Sequence, residues 1–284
     1  MKEESETQLH HAMIAAFEGW NDACSASTNV IHHLLNTYPS QEVGSLDSDG
    51  FYDYQVSRPM LCHVQGRRNI YWPETKFYEV SIQPECKLLV EVGPEPNYHW
   101  IDYCRQSIRF AEDLEINTLI TLGSMFADCP HTRDLPIDDL AGDQIDADTE
   151  GHSGPVGIPT VLDAVAVQSG FKTESLWVSV PQYMSSDECA QGTLQLLRRV
   201  SRLLGIRLSE GDLPDKAQHW QAQASVLVRC NDNLAEYVHR LEVESDAKAA
   251  SNFRYTIDEP LGDELAQEAE EFLKSVGGQD TPSV

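Results

Sequence analysis

Between residues 11 and 205, short apolar runs alternate with stretches whose apolar residues recur every three or four positions. That alternation restricts the fold more than any other feature of the chain. The run from His11 to Phe17 is expected to be a strand. Asn21–Asn36 then reads as a helix with Val30, Ile31, Leu34 and Leu35 on one side. Glu42–Leu46, Tyr78–Ile82, Lys87–Val92, Thr118–Leu122 and Ser175–Val180 are strand-sized, with the turn pair Pro84–Glu85 between the second and third. Tyr98–Leu114, Ile158–Ser169 and Asp187–Leu204 carry helical spacing, and glycines follow the last two at Gly170 and Gly205. Strands that are apolar throughout must be covered on both faces. The expected class is therefore α/β: a mostly parallel sheet flanked by helices. Residues 47–69 read as a long irregular connection containing Phe51, Tyr52 and Tyr54.

From residue 206 the strand signals stop. Asp212–Cys230, Asn231–Ala249 and Leu261–Val276 read as helices of a small acidic subdomain covering 206–276, after an α/β core at 11–205. Residues 1–10 are expected to be disordered and 277–284 to form a flexible tail.

The chain of 284 residues carries a formal net charge of −26, from 20 basic and 46 acidic side chains. Nucleic acid and anionic membrane surfaces would repel it, so neither is an expected partner. No secretory signal opens the sequence, and no apolar run approaches the roughly 18 residues of a membrane helix. Seven cysteines at 24, 62, 86, 104, 129, 189 and 230 are widely spaced and include no CxxC pair. Reduced, mostly buried thiols in a cytoplasmic protein are the expectation, with a reactive thiol as the alternative and no metal or other cofactor.

Four loops follow strands and would share one edge of a parallel sheet: Glu18–Asp22, Gly93–Asn97, Gly123–Arg133 and Pro181–Tyr183. Ligands bind at that edge in open sheets. The candidate ligand or interaction residues are Glu18, Trp20, Asn21, Asp22, Glu95, Asp128, His131 and Arg133, with Thr132 beside them. Asn21 or Asp22 is equally suited to cap the following helix, and Glu18 and Asp22 to act as acid, base or ligand. The Asp128–Arg133 loop could bind an anion or nucleoside through His131 and Arg133, or satisfy its own polar groups. The acidic stretch 138–156 includes Asp146-x-Asp148-x-Glu150. Its twelfth position is Gly157, where a calcium loop needs a bidentate Glu, so it reads as an exposed, solvated loop. GxGxxG, GxxxxGK[ST], GxSxG and HExxH are all missing from the sequence.

Several motifs occur together, in order, along nearly the whole chain. They are Ala16-Phe17-Glu18-Gly19-Trp20-Asn21-Asp22-Ala23, Phe51-Tyr52-Asp53 with Arg58-Pro59, Ile70-Tyr71-Trp72-Pro73 and Gly93-Pro94-Glu95-Pro96 before Trp100. Leu122-Gly123-Ser124 leading to Pro130-His131-Thr132-Arg133, Gly157-Ile158-Pro159-Thr160 and Ser175-Leu176-Trp177 with Val180-Pro181 follow, then Leu265-Ala266 through Glu270-Glu271-Phe272-Leu273. The combination resembles the proteasome assembly chaperone 2 family, in its bacterial branch of uncharacterised proteins. The resemblance implies a core similar to nucleoside phosphorylases, a helical C-terminal region, and homo-oligomers, specifically trimers. It implies no established activity.

Family members that assemble proteasomes dock through a C-terminal hydrophobic-Tyr-any tripeptide, whereas this sequence reads Thr281-Pro282-Ser283-Val284. Gln182 and Cys24 also depart from the histidine and small residue expected there. The expected function is thus a non-enzymatic, chaperone-like homo-oligomer that binds itself and other proteins. A nucleoside phosphorylase- or hydrolase-like enzyme, or a binder of small anions at the strand edge, is the alternative.

Overall fold

A computed structural model describes residues 12–139 and 154–258 apart from Asp47, Gln65, Ser186 and Asp187. Strand β1 (Ala12–Glu18) lies inside a seven-stranded sheet between β6 (Cys86–Pro94) and β7 (Thr118–Ala127), parallel to both. Its side chains explain why it is apolar at every position. Ala12, Ile14 and Ala16 enter one buried cluster, while Met13, Ala15 and Phe17 enter the cluster on the opposite face. A strand covered on both sides has no polar face to show.

Beyond β7 lies β9 (Lys172–Pro181), also parallel, so four parallel strands form the centre. The sheet is completed by antiparallel edges. β2 (Ser40–Leu46) and β5 (Thr75–Gln83) extend it past β6, and the short β8 (Ile137–Asp139) pairs with β9. β5 and β6 are joined by a tight turn and therefore run in opposite directions.

Helices cover both faces. α1 (Thr28–Thr37) and α4 (Ala190–Leu204) pack on one, α2 (Trp100–Asp113) and α3 (Ile158–Gln168) on the other. Gly205, at φ 64°, ends α4 in the left-handed conformation that suits glycine. α5 (Leu213–Arg229) lays Leu213, Ala217, Trp220 and Ala224 into the same apolar cluster as α1 and α4, and α6 (Asp232–Asp258) follows it.

Two expectations are corrected. The helix predicted from Asn21 begins only at Thr28, because Cys24 and Ser25 hold φ of 54° and 53° and interrupt any regular turn. The connection predicted as irregular over 47–69 contains a separate two-stranded hairpin, β3 (Met60–Val64) with β4 (Arg67–Tyr71). The predicted helix at Leu261–Val276, most of the acidic stretch 138–156 and both chain termini lie outside the described residues. Of the seven cysteines, Cys86, Cys104, Cys129 and Cys189 are buried.

Candidate functional site

β1 and β7 are neighbours whose exit segments leave toward opposite sides of the molecule: the chain after β1 enters α1, and the chain after β7 reaches the far edge strand β8. That is the topological switch point at which open sheets form ligand crevices. A cleft of about 730 Å³ lies there, lined by Trp20, Asp22, Met125, Phe126, Trp177 and the Pro155–Gly157 approach to α3, among others. Its wall is chiefly aromatic and aliphatic. Trp20 stands at the cleft with 66% of its surface exposed. Gly123 is required behind it, because a Cβ there would meet the Trp177 ring at 2.6 Å.

The polar residues at this edge are held by the fold. Gly19, at φ 111°, turns the chain after Glu18, and the Asn21 carbonyl accepts from Ser124 N at 2.8 Å, tying the β1 exit to β7. The Asp22 carboxylate accepts from Ser27 N at 2.9 Å, Ser27 Oγ at 2.6 Å and Thr28 N at 3.3 Å. Thr28 Oγ1 and Ser124 Oγ also donate to it. It thus fills the capping role at α1 from five residues upstream, and its negative charge faces the positive end of that helix.

Glu95 performs the matching task for α3. One of its oxygens, Oε1, accepts from Asn21 Nδ2 at 2.8 Å and from Ile158 N at 3.0 Å, while Glu95 N donates to the Glu18 carbonyl at 3.0 Å. Asn21 is fully buried, and its Oδ1 has no hydrogen-bond partner among the described residues. That oxygen abuts Gly157, where an added Cβ would approach to 1.5 Å, so residue 157 can only be glycine without displacing Asn21. Glu18, Asn21, Asp22 and Glu95 are therefore brought together, with Trp20 exposed beside them.

The structure turns Asp128, His131 and Arg133 in another direction. All three meet the C-terminal helices, on the opposite sheet face from α3. His131 is buried, with Nδ1 2.9 Å from Tyr183 Oη and Nε2 3.0 Å from Ser225 Oγ on α5. His131 N donates to the same Tyr183 oxygen, and Ser225 Oγ donates to Gln221 O. Both hydroxyls are then fully assigned if the neutral ring carries its proton on Nε2 and accepts from Tyr183 at Nδ1. Burial lowers the His131 pKa, which agrees with a neutral ring. Arg133 forks onto Asp246 of α6, with Nε–Oδ1 at 2.8 Å and Nη2–Oδ2 at 3.0 Å. Thr132 donates to Glu242 at 2.6 Å, and Tyr237 donates to Asp128 at 2.5 Å. This loop is a clamp on α5 and α6.

Sequence reasoning missed a further polar group. Glu91 sits fully buried in β6, facing α2, and accepts from Ser107 Oγ at 2.7 Å. A hydroxyl chain of Tyr103, Thr75 and Tyr52 continues from it. Burial raises the Glu91 pKa to about 7 against the opposing pull of those hydrogen bonds, and raises that of Tyr52 to about 12. The available signal was one acid within Leu88-Leu89-Val90-Glu91-Val92, which otherwise reads as plain core. Among the described residues, no group of three or more His, Cys, Asp or Glu is placed to hold a metal ion, and no helix is long and apolar enough to cross a membrane.

This architecture and its motifs match a known family. The sequence model of the PAC2 family fits residues 16–228, three quarters of the chain. The chain belongs to the PAC2 family. A PAC2 family protein from Streptomyces avermitilis is 33% identical, with 80% of this chain and 99% of that one covered and a TM-score of 0.73. A proteasome-assembly chaperone homologue from Mycobacterium tuberculosis is 31% identical over the same shares, also with a TM-score of 0.73. Pyrococcus furiosus PbaB, described as an archaeal proteasome activator, is 14% identical and covers 78% of this chain and 94% of its own at a TM-score of 0.61, a likeness of fold alone. No curated protein matches the chain in sequence. The PAC2 fold confirms the expected α/β class and the family resemblance.

Proposed function

We propose that this PAC2 protein is a non-enzymatic, chaperone-like homo-oligomer, trimeric and cytoplasmic, that grips an apolar segment of a partner protein in the cleft at the β1–β7 switch point. The observation that carries the reading is the division of labour at the sheet edge. Asp22 and Glu95 spend their hydrogen bonds on the starts of α1 and α3, His131 and Arg133 spend theirs on α5 and α6, and the cleft itself is left chiefly apolar around an exposed Trp20, with Asp138 and Thr160 in its wall. An exposed tryptophan beside an apolar crevice is a common anchor of protein–protein contacts. The relative described as a proteasome-assembly chaperone homologue makes proteasome subunits the first partners to try.

The test is photo-crosslinking from a benzophenone amino acid at position 20, with purified proteasome subunits as the first probe. Crosslinks that vanish in a folded Phe126→Ser variant support cleft docking; undiminished crosslinking in that variant overturns it. Placement of the cleft at a switch point favours, as the second reading, a small ligand of nucleoside or anionic type. Thermal shift and turnover with a panel of nucleosides and phosphate measure that reading directly. Neither response across the panel would leave the interaction reading alone.

A further inference from the structure

The β3–β4 hairpin stands outside the seven-stranded sheet, and all its described residues but Cys62 are exposed. Its pairing register places Met60 opposite Tyr71 on one face and Leu61 opposite Ile70 on the other. Each of those four apolar side chains is more than half exposed. A two-stranded hairpin with both faces in water is marginal by itself, and such a patch on a charged protein marks a contact surface. Residues 56–72 also contain Arg58, Arg67 and Arg68 and no acid, on a chain with a net charge of −26. Among the described residues, neither Arg67 nor Arg68 meets a carboxylate.

The chain carries the complement elsewhere. The α5–α6 end exposes Val226, Leu227 and Val243 together with Asp232, Glu236 and Glu244, which outnumber the exposed Arg229 and Arg240 there. Arg240, on the same stripe of α6, is drawn over the Tyr237 ring. We propose that the β3–β4 hairpin of one copy docks on the α5–α6 face of a second copy. This rests on the reading that the protein self-associates and adds the surfaces that do it. Two different patches meet in such a contact, so it is head-to-tail, and it closes into a ring when the rotation between copies permits. A two-fold contact between hairpins would instead oppose Arg67 and Arg68 to their own copies.

The experiment is multi-angle light scattering of the full chain as wild type, Ile70→Glu, and Arg67→Glu with Arg68→Glu, with circular dichroism confirming the fold. The expected result is an oligomer for wild type and at least a tenfold rise in dissociation constant for both variants. Adding Glu236→Lys and Glu244→Lys to the double-arginine variant should restore assembly. Folded variants that assemble like wild type overturn the hairpin contact while leaving self-association in place. Tighter assembly of the double-arginine variant overturns the head-to-tail arrangement. Loss without restoration overturns the α5–α6 face. A monomeric wild type overturns this proposal together with the self-association on which it rests.

Discussion

At the scale of single residues, the buried Glu91 and His131 oppose stability when they ionise, one as pH rises and the other as it falls. Folding raises the Glu91 pKa from 4.5 to about 7, so the folded state binds the extra proton between those values. Stability therefore falls as pH rises across that window and levels off above it. Glu91→Gln mimics the protonated acid and should stabilise the protein at pH 8 by up to about 3 kcal/mol, with little effect near pH 4, by urea denaturation across a pH series. His131 behaves in the reverse sense. Its pKa is lowered from 6.5, so the unfolded chain takes up the proton first, and stability is lost as pH falls through 6.5. Gly157→Ala should cost about 1–3 kcal/mol through collision with Asn21 Oδ1, measured in the same assay at neutral pH. The sequence made Asp22 visible as a cap or an acid, and the structure gives it the cap. It hid Asn21 and Gly157 as partners, because their contact joins residues far apart in the chain.

At the scale of elements, the Asp128–Arg133 loop decides how firmly α5 is held. Tyr183 Oη serves His131 through both the ring and the backbone, so Tyr183→Phe leaves buried groups without a partner. The expected cost is about 1–3 kcal/mol, with amide exchange accelerated in α5 more than in α2. Arg133→Ala should cost clearly less in the same assay, because its pairing with Asp246 is solvent-exposed.

Legibility at this scale followed burial. α2, α3 and α4 each bury one face and so show helical spacing, and they begin and end within a few residues of the expectation. The β3–β4 hairpin buries neither face, so its sequence carries no alternation to read. The start of α1 was displaced by two residues in left-handed backbone, Cys24 and Ser25, neither of which is the glycine that normally announces such a turn.

At the scale of the whole molecule, the parallel centre of the sheet did gather loops from β1, β6 and β7 at one edge, as the alternation of strands and helices requires. The sheet's two faces then divided the candidate residues. Glu95 and Asn21 went to α3, His131 and Arg133 to α5 and α6, a partition that strand order alone cannot specify. The central claim is that the polar residues of this edge build the cleft and the apolar surface uses it. Denaturant unfolding of Asp22→Ala beside Trp20→Ala tests that claim without knowledge of any partner. Residues kept for chemistry commonly burden stability, so replacing them is neutral or stabilising. The account predicts a loss of about 1–2 kcal/mol for Asp22→Ala, as an N-terminal cap with several donors, and less than about 0.5 kcal/mol for the exposed Trp20→Ala. An Asp22→Ala protein as stable as wild type, or more so, would contradict it.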